Sequence, residues 1–241
     1  MEKLENKNKL STFMNKHGII FILLVMIIVS TIMEPSFLNY KNLINVFRQI
    51  SVTGPIAIGM TFVIINGGID ISVGGIVGLA GMVAMILMSK GYGILIALLA
   101  ALAIGILVGF INGYYVSKGL APFIVTMSTN TILRGLAQLT TNGQPVWGIA
   151  NGYEIFGQGY IGFVPVPVII FLLVFAVAYI ILNHTTIGRS VYAVGGNAES
   201  SRLSGISILK SKIFVYCISG ILSAITAIVL TSRLASSDPT I

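Results

Sequence analysis

What this 241-residue chain lacks narrows its nature before any motif is read: it has one cysteine, one tryptophan, two histidines and seven acidic residues. Cys217 stands alone in an apolar run, so one chain can build neither a disulfide framework nor a cysteine-based metal site. His17 and His184 lie near opposite ends of the sequence without ligand-spaced partners, which leaves metal binding without support. Charged residues make up only 9% of the chain, where soluble domains carry about 25%. A soluble fold of this length needs more polar surface than that. Apolar residues take the place of charge: 56% of the chain is hydrophobic and the mean hydropathy is +0.97. Lipid is therefore the expected solvent for most of the surface. The apolar excess recurs along the whole chain, so it is not one leader peptide. The first run ends in Met33-Glu34-Pro35, without the small residues of a cleavage site.

The net charge of +7 does not point to nucleic acid. The basic residues are scattered at segment ends, where cytoplasmic loops of membrane proteins carry them. Nucleic-acid binding calls for a clustered basic face.

A spanning helix needs about 20 predominantly apolar residues. Seven candidates can be read: Gly18–Met33, Ile50–Asn66, Ile71–Met88, Gly93–Val116, Ala121–Leu139, Phe163–Leu182 and Ile213–Thr231. The expected fold is all-α, a polytopic transmembrane helical bundle of six to eight spans, with seven favoured, in one transmembrane domain over residues 1–241. The first two runs are short and borrow flanking residues. Only Gly67, Gly68, Ile69 and Asp70 separate the second and third, so this gap is either a tight hairpin or a break inside a folded-back segment. Non-helical backbone is tolerated at membrane depth only where protein or a cavity covers it.

With the tail 1–17 in the cytoplasm, Lys3, Lys7, Lys9, Lys16, Lys118, Arg189, Arg202, Lys210 and Lys212 fall inside. Lys41, Arg48, Lys90 and Arg233 fall outside, and Arg134 lies within a span. Nine against four favours a cytoplasmic N-terminus, although Lys41 and Arg48 then occupy a loop on the outer side. The polar, glycine-rich loop Thr140–Gly162, with Trp147, is expected to face outward. The charged loop 183–212 is expected in the cytoplasm. Gly105, Gly109 and Gly113 recur every fourth residue on one helix face, and Gly74 and Gly78 repeat the device, so close helix packing is expected at both.

Within the charged loop, Asn197 is a favourable N-cap and Glu199 complements the first turn of a helix. Arg202 lies three residues beyond Glu199, on the same face. Gly205 suits a left-handed stop. A two-turn helix over Ala198–Ser204 is specified, entered through Gly195 and Gly196 and set apart from the spans. Capping alone leaves open whether it docks a partner or rests on the membrane surface. Asp70 and Arg134 are the ionisable residues nearest membrane depth and are functional candidates by default. Asp70 is either a cap for the following helix or part of a translocation path, and its spacing from Arg134 says nothing about contact. Gly157-Gln158-Gly159-Tyr160-Ile161-Gly162 matches G-x-G-x-x-G, but no βαβ unit surrounds it, and Lys210-Ser211 lacks the glycines of a phosphate-binding loop. The Asn183-His184-Thr185 sequon falls on the expected cytoplasmic side.

Three stretches resemble one family in its own order. They are Asn66-Gly67-Gly68-Ile69-Asp70-Ile71-Ser72-Val73-Gly74; Ala121-Pro122-Phe123-Ile124-Val125-Thr126-Met127, continuing to Arg134-Gly135 and Asn142-Gly143-Gln144-Pro145; and Gly195 to Ile206. Together they resemble ribose-type (monosaccharide) permeases of ABC transporters, the inner membrane component of binding-protein-dependent transport systems. The branched-chain amino-acid permeases share the general plan, and the first two stretches look more like the sugar branch.

The resemblance implies a transport subunit, not an enzyme, in a bacterial inner membrane. It implies ATPase coupling through Gly195, Gly196, Asn197, Glu199, Arg202, Leu203 and Gly205. It implies a translocation or junction role for Asn66, Gly67, Gly68, Asp70, Ser72 and Arg134. The partners implied are a cytoplasmic ATPase that holds ATP and magnesium, an extracytoplasmic sugar-binding protein, and a second permease copy. No cofactor is expected in this chain. Family members continue further past this C-terminus, so a C-terminal truncation is expected. A proton- or ion-coupled secondary transporter is the alternative, but that class favours several carboxylates or histidines at depth. A membrane-embedded enzyme would need a paired catalytic constellation, which the sequence lacks.

Overall fold

The computed structural model describes residues 2–148 and 150–239, and for 2–17 the backbone alone. The chain divides after Phe47 into two units. The first holds helix α1 (Glu2–Met33), a 3-10 turn at Pro35–Leu38 and the start of α2 (Tyr40–Ile65). Of the expected tail 1–17, the described residues 2–17 are helical backbone continuous with the first apolar run. Pro35 opens the turn where its missing N–H costs nothing. The Glu34 carboxylate accepts the Ser36 amide at 3.2 Å, and the Ser36 hydroxyl first and this amide second lower its pKa from the ordinary glutamate value. Lys41 and Arg48 belong to α2, not to a loop. The apolar pattern begins at Ile50, but the helix extends ten residues further back, because polar residues continue a helix as readily as apolar ones once it is nucleated.

The second unit carries the rest of α2, then α3 (Val73–Ser89), α4 (Ile94–Ser117), α5 (Pro122–Thr141), a short α6 (Ile155–Gln158), α7 (Val166–His184), α8 (Thr186–Gly196), α9 (Ala198–Leu203) and α10 (Ile208–Leu234). A helix answers each of the seven expected spans. Four of them, α2, α4, α7 and α10, are long and apolar enough to cross a membrane; α3 and the stretch Gly18–Met33 are apolar but shorter, and α5, though 20 residues long, is too polar to count with the four. Two residue pairs, β1 (Val146–Trp147) and β4 (Ser236–Ser237), join antiparallel, and β2 (Tyr160–Ile161) with β3 (Val164–Pro165) forms a small hairpin.

Helix α10 is the central post: 61% of its apolar window is buried, against 11% for α7. Glycine decides how closely α4 approaches it. A Cβ on Gly105 would overlap the Gly220 carbonyl, one on Gly220 would overlap the Gly105 carbonyl, and Cβ atoms on Gly109 and Gly113 would strike the backbone at Tyr216 and Ile213. The two helices are antiparallel and backbone meets backbone for two turns, the small-residue packing that serves where lipid supplies no hydrophobic drive between helices. In α3 the tight glycines are Gly75, against Asn130, and Gly81, against Thr231; Gly74 keeps ordinary contact distances. The four-residue glycine spacing marked the helix correctly, but the neighbouring residue faces the partner.

Helix α2 also runs antiparallel to α10. Its Pro55 lacks an amide and crowds the preceding turn; the Thr226 hydroxyl donates to the Val52 carbonyl there at 3.1 Å. The outer faces of α4 and α7 present bare Leu, Ile and Phe, among them Leu95, Leu107, Leu173 and Phe175. Exposed apolar surface on this scale marks a lipid or partner interface.

Candidate functional site

Two regions hold the residues singled out above. The first is the segment between α2 and α3. Helix α2 ends beside the start of α10, where the Asn66 amide donates to Ser211 Oγ at 2.9 Å. The chain then turns back through Gly67, whose φ of +73° favours glycine. Gly68 follows, at a place where a Cβ would strike the Tyr216 hydroxyl. The Ile69 carbonyl accepts that hydroxyl at 3.1 Å, and Asp70 Oδ2 accepts the Ser219 hydroxyl at 2.7 Å. Ser211 and Ser219 are eight residues apart on α10, so the segment climbs about 12 Å along it before α3 begins. The gap is therefore a break inside the bundle, not a surface hairpin. With 17 residues, α3 is only about 25 Å long, short of the roughly 30 Å hydrocarbon core.

Such backbone survives away from water only where protein meets its polar groups, and Asp70 shows how that is done here. Asp70 is 1% exposed. Its Oδ1 accepts the Ser72 amide at 3.0 Å and the Ser72 hydroxyl at 2.5 Å, and Ser219 takes Oδ2. These hydroxyl and amide donors, rather than Arg134, satisfy the carboxylate. The Asn112 amide of α4 donates to Ser72 Oγ at 2.9 Å, and the Thr129 hydroxyl of α5 donates to Asn112 Oδ1 at 2.8 Å. Asn130 Oδ1, also on α5, accepts the Gly75 amide at 2.8 Å, capping the first turn of α3 from another helix. Asp70 thus ties α10 and the entrance of α3 to the break directly, and α4 through Ser72. Arg134 lies on α5, with its guanidinium against Gly74. The polar groups of Asp70, Ser72, Asn112 and Thr129 point at one another, in the manner of a structural joint.

The second region is α9. Thr185 caps α8 by accepting the Gly188 amide at 3.1 Å, and α8 runs on through Gly195 and Gly196. The expected glycine entry is therefore the last turn of a helix. The sequence reading missed α8 because its stripe, Gly188, Val191 and Val194, is narrow and interrupted by polar residues. Gly195 is required for packing: a Cβ there would overlap the Ile65 carbonyl at the end of α2. Gly196 is open to solvent on that side. Asn197 then ends α8 and starts α9, its Oδ1 accepting the Ser200 amide at 2.9 Å. Gly205, with φ of +82°, stops the helix one residue after Ser204.

Glu199 and Arg202 form a two-pronged ion pair on the exposed face. The Arg202 guanidinium donates to the Glu199 carboxylate and holds its pKa below the ordinary glutamate value, while Arg202 is raised in turn. Ser201 is the residue buried beneath, whereas Leu203 is 75% exposed. The six-residue capped helix thus holds an apolar side chain out beside an ion pair. Exposed pairs of this kind contribute little to folding.

Residues outside the sequence reading also matter. Asn112, Ser211 and Ser219 complete the joint. Asn112 was visible as a lone amide in an apolar helix, and Ser211, Ser219, Ser223 and Thr226 as a polar stripe at helical spacing on α10. Tyr153 gave no such signal. It is fully buried beneath the 142–165 segment, with its hydroxyl 2.7 Å from Thr231 Oγ1 and 3.1 Å from the Ile228 carbonyl. Nearby, the Gly157 amide donates to Ser232 Oγ, and Ser232 donates to the Tyr153 carbonyl, both at 2.7 Å. The segment expected as an outward loop is thus seated on the far end of α10, with Arg48 of α2 over the Tyr160 ring at 4.6 Å.

Comparison with known proteins follows the same lines. A family model described as "Branched-chain amino acid transport system / permease component" matches residues 42–241. The ribose import permease protein of Haemophilus influenzae is 41% identical over 246 residues, covering 100% of this chain and 76% of the relative. The protein of the same description in Bacillus subtilis is 40% identical over 245 residues, covering 99% and 76%. The D-allose transport system permease protein of Escherichia coli is 36% identical over 231 residues, covering 94% and 71%. No solved structure matches.

Proposed function

This chain belongs to the branched-chain amino acid transport system / permease component family, and on that premise we propose that it is the membrane-spanning subunit of an ABC importer for a monosaccharide. The similarity to ribose and allose permeases along nearly the whole chain carries the sugar assignment. In this reading the protein is a transport subunit of a bacterial inner membrane, crosses it several times and performs no chemistry of its own. A separate ATPase holds ATP and magnesium, and an extracytoplasmic binding protein delivers the sugar. Two permease copies face each other across the pathway. The exposed apolar faces of α4 and α7 support burial in lipid or against a second copy.

Orientation follows from the basic residues around α8 and α9, which belong on the cytoplasmic side. That assignment sets α9 toward the ATPase, the 142–165 segment toward the binding protein, and the N-terminus inside. The mechanism rests on α9 as the docking element. Asn197 and Gly205 give it fixed ends, the Glu199–Arg202 pair stiffens its face, and Leu203 offers an apolar anchor for a groove on the ATPase. Closure of the ATPase pair would then push α9 and the helices behind it.

The observation that carries the docking role is Leu203, 75% exposed beside the ion pair on a helix capped at both ends. The test is co-purification of the permease with its ATPase. Glu199→Ala with Arg202→Ala is expected to abolish it while leaving the permease folded; binding equal to wild type would remove α9 from this role. A proton-coupled transporter would instead show sugar uptake that persists without the ATPase and collapses with the proton gradient.

A further inference from the structure

The two regions meet at one side chain. Asn66, the first residue beyond α2, is 1% exposed. Its amide nitrogen donates to the Val191 carbonyl of α8 at 3.2 Å and to Ser211 Oγ of α10 at 2.9 Å. Its backbone carbonyl accepts Lys212 Nζ at 3.1 Å. One turn along α8 from Val191, Gly195 lies directly against the Ile65 carbonyl, so residues 191 and 195 present a single face to the end of α2. Two residues after Gly195, Asn197 caps α9.

We propose that Asn66 is a positioning residue that carries displacement of α9 into the α2–α3 break. The inference rests on the docking role assigned to α9 above. Three observations support it. The Asn66 side chain makes no bond within its own segment, so its bonds serve only to join elements. Its Oδ1 is buried without a partner, an arrangement that costs free energy; the Val191 carbonyl, which can only accept, forces the amide into that orientation. The chain beyond it is also built to turn: Gly67 adopts a positive φ, and three residues later Asp70 holds the entrance of α3 through Ser72 and the post α10 through Ser219. Helix α8 is a short rigid lever with α9 at its tip and Asn66 on its side. Without the amide, α8 could shift past the end of α2 and leave the break where it was. At 1% exposure, Asn66 acts through its neighbours and not on the sugar.

The test uses the assembled importer, permease with ATPase and binding protein, in membrane vesicles, with sugar uptake and ATP hydrolysis measured in parallel. Asn66→Ala is expected to assemble and to hydrolyse ATP, with uptake per ATP lowered about 10-fold, within the range that one contact in a coupling network commands. Ser211→Ala, which removes one of the two side-chain bonds, is expected to lower the ratio about 3-fold, and Ser211→Thr to restore it. An unchanged ratio in Asn66→Ala and Ser211→Ala overturns the proposal. If Asn66→Ala fails to accumulate, the Ser211 pair decides alone. A wild-type permease that captures no ATPase defeats the docking reading itself, a result visible before any variant is made.

Discussion

The α2–α3 break and helix α9 are both short interruptions in a chain of apolar helices, and they satisfy their polar groups in opposite ways. In the break, Asp70, Ser72 and Asn66 find partners on α4, α8 and α10, as many as 149 residues away in sequence. In α9 the side-chain cap and the ion pair each close within three residues, from Asn197 to Ser200 and from Glu199 to Arg202. Burial makes the difference. An unpaired polar group away from water costs about 1–3 kcal/mol, so the break exists only inside the finished bundle. An exposed helix can meet water on its open side, so α9 needs only its own residues. A joint assembled from distant parts registers where those parts are, whereas a self-sufficient knob can be pushed as a unit.

Substitutions can break this contrast. The largest effect is expected at the crossing that holds the joint together. Gly105→Leu forces α4 away from Gly220 and should cost about 3 kcal/mol or more, read as loss of the folded monodisperse protein on detergent size-exclusion after heating. Asp70→Ala strands two serine hydroxyls and an amide and should cost about 3 kcal/mol. Asp70→Asn keeps an acceptor and should cost less, a ranking that thermal unfolding in detergent will check. Tyr153→Phe removes the hydroxyl that seats the 142–165 segment and should cost about 1–2 kcal/mol, with faster proteolysis confined to that segment. Asn197→Ala should loosen α9 by about 1 kcal/mol, seen as faster amide exchange at residues 198–203 with the bundle unchanged. If that exchange spreads to Asn66–Ser72, α9 is less self-sufficient than its local bonds imply.

The smallest effect concerns pH. The Glu199 pKa lies below its ordinary value because Arg202 stabilises the carboxylate. Its contribution is therefore fully present above the unfolded value of 4.5 and is lost only as pH falls through the lower folded value. Binding of the ATPase should be flat between neutral pH and about 5. Glu199→Gln, which removes the charge, should weaken binding equally at every pH in that window.

Much of this was legible in the residues. The Ala198 helix, its Asn197 cap, its Glu199–Arg202 pair and its Gly205 stop are all local features, and local chemistry is what a sequence displays. The seven apolar runs announced seven helices, and the Gly105, Gly109, Gly113 series announced a close crossing. Helix α8 escaped notice because polar residues break up its stripe. The seating of Tyr153 escaped because a tyrosine in a polar segment carries no mark of burial.

By itself, then, the sequence determined that lipid is the solvent, that helices are the elements and that α9 stands apart, since each follows from composition, periodicity or bonds a few residues long. Only the tertiary structure decided that the four residues after Asn66 climb inside the bundle, that Asp70 binds Ser72 and Ser219 rather than Arg134, and that Gly195 packs on the end of α2. Those outcomes depend on which distant donor arrives within hydrogen-bonding range when α4, α5, α8 and α10 close around the break, and no local pattern encodes that arrival.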